Sequence, residues 1–186
     1  MEKSNHSNVL IVGGGCAGIA VASRINSLKS DLTISIVEPS EKSLYQAAWT
    51  LVGAGAYNVN DTIKPMSSVM PSYVKWIKEY AEEFLPDSNS LKTNGGTYTY
   101  DYLVVCPGLK LNYDGVAGLK ENLGKNNVCT NYSAEMATYT WDCLKQLDGG
   151  TLLFTEPPMP IKCAGAPQKI AYLAADHLKK KGKLSD

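Results

Sequence analysis

Four apolar residues in a row, Val9 to Val12, lead into three glycines, and a second apolar run from Ile34 ends at Glu38. The stretch between them has helical spacing, so NVLIVGGGCAGIAVASRINSLKSDLTISIVE reads as a strand, a tight turn, a helix and a parallel strand, a βαβ unit. Residues Ser40 to Pro71 are rich in Gly, Ala, Ser and Asn and read as loop with a short helix. The segment YVKWIKEYAEEFL fits either a helical face through Val74, Ile77, Ala81 and Leu85 or an alternating strand. Strand is the better reading, because Pro86-Asp87-Ser88-Asn89 and Asn94-Gly95 are turn signals that cut the following chain into hairpin pieces. Tyr102 to Cys106 then predicts a buried parallel strand. Ser133 with Glu135 marks the start of a helix that runs to Leu147 before Gly149-Gly150. A further strand over Gly150 to Thr155, followed by a helix near Pro167, would open a second βα unit.

The first glycine turn has chemistry in its spacing. In Gly13-x-Gly15-x-x-Gly18, Gly13 permits the turn and Gly15 lets a pyrophosphate approach the backbone. Gly18 with Ala22 lets the helix pack closely on the sheet. Glu38 falls twenty residues after Gly18, where a carboxylate accepts ribose hydroxyls and repels a 2′-phosphate. Strand before, helix after and acid at that distance together point to a dinucleotide.

Composition narrows the class without naming it. With 186 residues and 44% apolar content the chain can bury a real core, as water-soluble globular proteins do. Its eighteen basic and eighteen acidic residues cancel, and the Lys179–Lys183 run reads as a solvated helix end, so nucleic acid is not an expected partner. Five irregularly spaced cysteines without CxxC argue for reduced thiols in an intracellular setting and against a disulfide scaffold or a zinc site. MEKSNHSN lacks the apolar stretch of a leader, and no run approaches the ~20 residues of a membrane span.

The second unit departs from the first where it matters. A nicotinamide-binding flavoprotein would carry another glycine loop after its second-domain strand, whereas here Pro157, Pro158 and Pro160 fix φ and remove backbone donors. That segment cannot wrap a phosphate, but it can present Cys163 just ahead of a helix, with Lys162, Lys169 and the helix N-terminus available to a thiolate. Electrons from NAD(P)H are therefore not expected.

Taken together, VLIVGGGCAGI, IVEPSEKSLYQAAWTLVGAGA, YDYLVVCPGLKLNY, TNYS and PIKCAGAPQKI resemble the N-terminal half of the sulfide:quinone oxidoreductases, above all the mitochondrial type. That resemblance implies an α/β fold: a Rossmann-like FAD-binding domain over residues 1–149 with an inserted β-hairpin segment, and the incomplete start of a second Rossmann-like domain over 150–186. It implies FAD as cofactor, with Gly13, Gly15, Cys16, Ala17 and Gly18 along the pyrophosphate, Glu38 on the ribose, Gln46 as a further flavin contact, Ala81 near the adenine, and Gly108 in a flavin-contact turn. It makes Cys163 the catalytic cysteine, bridged to a second cysteine that Cys16, Cys106, Cys129 and Cys143 do not match. Sulfide attack leaves a persulfide on Cys163, and the electron pair passes through flavin to quinone. A small thiol or sulfite would take the sulfane sulfur. Peripheral contact with the mitochondrial inner membrane, or the cytoplasmic face of a bacterial plasma membrane, would come through a C-terminal half that lies beyond Asp186. Cys129 falls where some members of the wider family have an additional cysteine, while Cys143 reads as a core residue of an amphipathic helix. Three alternatives stay open at this stage: a short form that binds flavin or a partner without turnover, the flavin subunit of a flavocytochrome c sulfide dehydrogenase, and a type II NADH dehydrogenase.

Overall fold

The computed structural model describes residues 5–184. From the N-terminus they form β1 (His6–Val12), α1 (Cys16–Leu28), β2 (Ile34–Val37), β3 (Lys42–Leu44), α2 (Trp49–Gly53), β4 (Ile63–Pro65) and α3 (Met66–Val69). Then come β5 (Val74–Ile77), β6 (Ala81–Leu85), β7 (Ser90–Thr93), β8 (Gly96–Val105), α4 (Leu119–Asn122), α5 (Ala134–Gln146) and α6 (Gly165–Lys180). They divide into two compact units. One holds the described residues up to Leu44 together with Lys64–Lys110; the other holds Tyr45–Ile63 and the described residues from Leu111 onward.

The first unit is α/β, as expected, and is built on a six-stranded sheet of order β5-β2-β1-β8-β7-β6. The first four of these are parallel neighbours, in register Val9 with Ile34, Ile34 with Val74 and Ile11 with Val104. On one face Val9, Ile11, Ile34, Ile36 and Val74 pack with Ala22 of α1, while Leu10, Val12, Val37, Ile77, Leu91 and Tyr100 form a cluster on the other. Both faces of the central strands are thus covered, which is why they read as unbroken apolar runs rather than alternating ones.

The ambiguous segment is two strands. Val74 and Ile77 drop into the two core clusters, β6 and β7 pair antiparallel, and Asn94-Gly95 turns β7 into β8. Tertiary pairing overrides the helical propensity of residues 74–85. The strand expected at Tyr102–Cys106 is the last part of the longer β8 and is parallel to β1, but it is not buried. Tyr102 is 68% exposed, because Leu103 and Val104 pack into the two clusters and Tyr102 into neither. Residues 40–71 are more ordered than a loop with one helix, since β3 and β4 pair within them.

The second unit is helical. Trp49 and Val52 of α2 pack on Ala137 of α5, and Leu144 packs with Ile170 and Ala174 of α6. The Trp49 indole N–H donates to Thr62 Oγ1 at 3.1 Å. Ser133 caps α5 as expected, its hydroxyl accepting the Met136 N–H at 3.4 Å. The strand expected over Gly150 to Thr155 is absent: residues 151–158 carry no regular structure. A strand exists only by pairing, and no strand among the described residues pairs with this segment.

Candidate functional site

The glycine turn lies in the first unit, between β1 and α1. Gly13 has φ +100°, and a Cβ there would stand 2.0 Å from the Cys106 carbonyl oxygen; a Cβ on Gly18 would stand 1.9 Å from the Gly13 carbonyl oxygen. These two glycines let three backbone segments touch at one point, with Gly13 N–H donating to Val37 O at 2.9 Å and Cys106 N–H donating to Val12 O at 2.7 Å. Gly15 differs, since nothing lies within 4 Å of a Cβ placed on it. Gly15, Cys16 and Ala17 form an exposed ridge at the start of α1, while Gly14 and Gly18 are buried.

That ridge has the features of an anion seat. Gly15 caps α1 without a side-chain hydrogen bond, and the first turn of α1 has no acidic residue. Its leading N–H groups and the positive end of the helix dipole therefore face outward without a local carboxylate to occupy them.

Glu38 follows the end of β2 and is held from three directions. Its Oε2 accepts the Gly14 N–H at 2.8 Å, its Oε1 accepts the Ser40 N–H at 2.7 Å, and its carbonyl accepts the Trp76 indole N–H at 2.7 Å. Each carboxylate oxygen retains a second acceptor position. The group thus stands fixed beside the turn with capacity for two hydroxyls, and the residues fit a dinucleotide that lays its pyrophosphate on the ridge and its ribose on Glu38. Gly14 was missed by the sequence reading, though it occupies an unassigned position of the motif and its amide is what orients the carboxylate. Ala81 packs on the cluster containing Val12, Val37 and Ile77, at the strand ends where the turn also sits. Gly108 has φ +75° with open space around it.

Cys163 belongs to the second unit, and so does Gln46. Cys163 is exposed and sits at φ +87°, a left-handed conformation that a residue with a Cβ rarely adopts. It lies two residues ahead of α6, and its carbonyl accepts the Ala166 N–H at 2.8 Å. A shallow cleft of about 40 Å³ beside it is lined by Gln46, Thr50, Asn131, Tyr132, Lys162 and Lys169, among others.

A chain of hydrogen bonds fixes the rim of this cleft. The Tyr132 hydroxyl donates to Lys162 O at 2.7 Å, Gln46 Nε2 donates to Tyr132 O at 3.3 Å, and the Lys162 ammonium donates to Gln46 Oε1. Lys162, expected to serve the thiolate, is thus committed to Gln46, which leaves Lys169 on α6 as the other cation at the cleft. Burial raises the Tyr132 phenol above its ordinary value, with the charges of Cys163 and Glu156 adding to the shift, so Tyr132 stays a hydrogen-bond donor. Thr50 Oγ1 and Asn131 Oδ1 line the same cleft, buried and without a partner among the described residues. Buried polar atoms in that condition mark a place for a ligand or water. Thr50 and Tyr132 had no assigned role in the sequence reading; only the TNYS segment hinted at Asn131 and Tyr132.

The remaining cysteines fall elsewhere. Cys106 is at the Gly13 contact, and Cys129 and Cys143 lie together in the second unit, with Cys143 half-buried instead of in the core. Helix periodicity gave Cys143 to the packed face, but Leu144 takes that place.

Residues 7–137 match the family model described as pyridine nucleotide-disulphide oxidoreductase. The chain is 42% identical over 180 residues to the mitochondrial sulfide:quinone oxidoreductase of Mus musculus, covering 96% of this chain and 40% of that protein. It is 45% identical over 184 residues to the one of Dictyostelium discoideum, covering 97% and 41%. Among solved structures, the sulfide:quinone oxidoreductase of Aquifex aeolicus superposes with a TM-score of 0.72 at 27% identity, covering 96% of this chain and 41% of that one. The chain spans about two fifths of the length of these relatives. The resemblance read from the cysteine and glycine segments therefore holds, and with it an FAD-binding fold. On the match over residues 7–137, the chain belongs to the pyridine nucleotide-disulphide oxidoreductase family, and its similarity to mitochondrial sulfide:quinone oxidoreductases runs along almost its whole length.

Proposed function

We propose that this chain supplies the FAD seat and the sulfur-accepting cysteine of a sulfide:quinone oxidoreductase. The observation that carries the reading is Cys163, an exposed cysteine held at φ +87° beside a cleft with two orphaned polar atoms. Strain of this kind, kept in place by surrounding hydrogen bonds, collects at sites of chemistry.

FAD, when bound, accepts an electron pair and passes it on to quinone. The chain's own residues hold and position it: Gly13, Gly15, Cys16, Ala17 and Gly18 along the pyrophosphate, Glu38 on the ribose, with Gln46, Ala81 and Gly108 as further contacts. Cys163 does the sulfur chemistry. In its disulfide with a second cysteine outside these residues, hydrosulfide attacks the Cys163 sulfur, the S–S bond breaks, the partner leaves as thiolate, and Cys163 is left as a persulfide. A small thiolate or sulfite then takes the outer sulfur and releases the Cys163 thiolate. The Tyr132–Lys162–Gln46 hydrogen bonds hold the Cys163 loop for both attacks, and Lys169 supplies positive charge for the incoming anions. Residues 1–149 act as the FAD-binding domain and 150–186 as the opening of a second domain.

Among the described residues no helix is long and apolar enough to cross a membrane. The relatives are named as mitochondrial proteins, which supports placing contact with a quinone at the mitochondrial inner membrane, through a C-terminal half beyond this stretch. The test is to produce a longer protein that contains this stretch together with the second cysteine, expose it, FAD-loaded, to sulfide without oxygen, and map added sulfur by alkylation and peptide mass. The expected result is one extra sulfur on the Cys163 peptide. Extra sulfur on another cysteine, or none on Cys163, would overturn the reading.

A further inference from the structure

Away from Cys163, the second unit holds two thiols for which the proposed sulfide chemistry has no use. The Cys129 thiol donates to the Asn127 carbonyl at 3.6 Å, and the Cys143 thiol donates to the side-chain Oδ1 of the same Asn127 at 3.7 Å. One residue thus receives both thiols, which brings the two sulfurs to one place. Asn127 is itself fixed: it has φ +60°, and its N–H donates to the Tyr139 hydroxyl at 3.2 Å. Tyr139 and Cys143 are four residues apart on α5 and share one face, so the 124–129 turn is pinned onto that face with the two thiols together.

We propose that Cys129 and Cys143 are a second redox pair of this chain, separate from Cys163, which closes to a disulfide and staples the turn to α5. The oxidant is of the peroxide class. One of the two thiols takes an oxygen from hydrogen peroxide and becomes a sulfenic acid, releasing water. The other sulfur then attacks that sulfenic acid as its thiolate, its proton leaving with the oxygen as a second water, and the S–S bond forms. Two thiols have lost two electrons, and one peroxide has become two waters.

The pair is placed to matter for the sulfur site. Cys129 begins the strap that runs through Asn131 and Tyr132 to the Ser133 cap, and the Tyr132 hydroxyl holds the Lys162 carbonyl next to Cys163. Closing the pair anchors the near end of that strap. The existence of the pair does not rest on the sulfide reading, since its geometry involves neither flavin nor Cys163.

The experiment is limited oxidation of the purified chain with hydrogen peroxide, followed by blocking of free thiols, proteolysis without reductant and peptide mass mapping. A cross-linked peptide joining Cys129 to Cys143 is expected as the main disulfide, retained in Cys163→Ser and lost in both Cys143→Ser and Cys143→Ala. The wild-type map needs no variant to fold. A cross-link from Cys129 to Cys163, or blocked free thiols at both 129 and 143 after oxidation, would overturn the proposal.

Discussion

The Glu38 carboxylate accepts the Gly14 N–H at 2.8 Å, so the end of β2 and the turn after β1 are tied through a single side chain. The acid proposed to meet the ribose and the backbone proposed to meet the pyrophosphate are thereby set at a fixed spacing before a nucleotide arrives, and less ordering remains to be done on binding.

Removing that carboxylate tests the tie. Hydrogen bonds to charged groups are worth about 1.5–3 kcal/mol, so Glu38→Ala is expected to weaken FAD binding by roughly 10- to 100-fold. Glu38→Gln should lose less, because its side-chain oxygen can still accept the Gly14 N–H. Quenching of flavin fluorescence on titration with the chain measures both.

Two glycines of one turn should fail in different ways. A Cβ on Gly18 meets the Gly13 carbonyl at 1.9 Å, whereas a Cβ on Gly15 meets nothing within 4 Å. Gly18→Ala is expected to cost about 1–3 kcal/mol of stability, a fall in Tm of about 2–4 °C per kcal/mol for a chain of this size. Gly15→Ala should leave Tm nearly unchanged and lower FAD affinity instead. Thermal unfolding with and without FAD separates the two.

The same contrast explains what could be read from the sequence and what could not. Gly13 and Gly18 were legible because backbone geometry demands glycine at those two positions, while Gly15 and Glu38 were read from the spacing of the motif. The strands at Val74–Ile77 and Ala81–Leu85 were legible only through the turns that follow them, since their own composition favours helix. The Gly150–Thr155 segment has the composition of a strand, yet pairing partners decide, and the described residues give it none. The roles of Thr50, Asn131 and Tyr132 arise from packing between helices distant in sequence, which no local pattern encodes. The convergence of Cys129 and Cys143 on Asn127 is of the same kind.

Stability should fall on the alkaline side. Cys129 is raised from an ordinary 9.0 to about 12, mainly by burial. Between those values the unfolded chain has released a proton that the folded chain keeps, so the folded state binds more protons and loses stability as pH rises. The contribution is whole below pH 9.0 and gone above about 12. Burial also raises Tyr98, Tyr113 and Tyr132, whose contributions fade in the same direction above 10.0. Urea unfolding across this range should show the fall in wild type and a shallower one in Cys129→Ser.

Cys163 should be a residue that chemistry keeps against stability. Its φ of +87° suits glycine, and such strain costs on the order of 1–3 kcal/mol. Cys163→Gly is therefore expected to be more stable than Cys163→Ala by about 1 kcal/mol or more, with both unable to take up sulfur. Chemical unfolding of the two variants side by side makes the comparison.

The most direct test is the visible absorption spectrum of a longer, FAD-loaded protein that contains this stretch and the second cysteine, before and after sulfide is added without oxygen, in wild type and in Cys163→Ser. A flavin band that bleaches in wild type and persists in Cys163→Ser is the expected result, placing flavin and Cys163 in one electron path. Equal bleaching in both proteins would contradict the assignment of Cys163 as the sulfur-accepting residue.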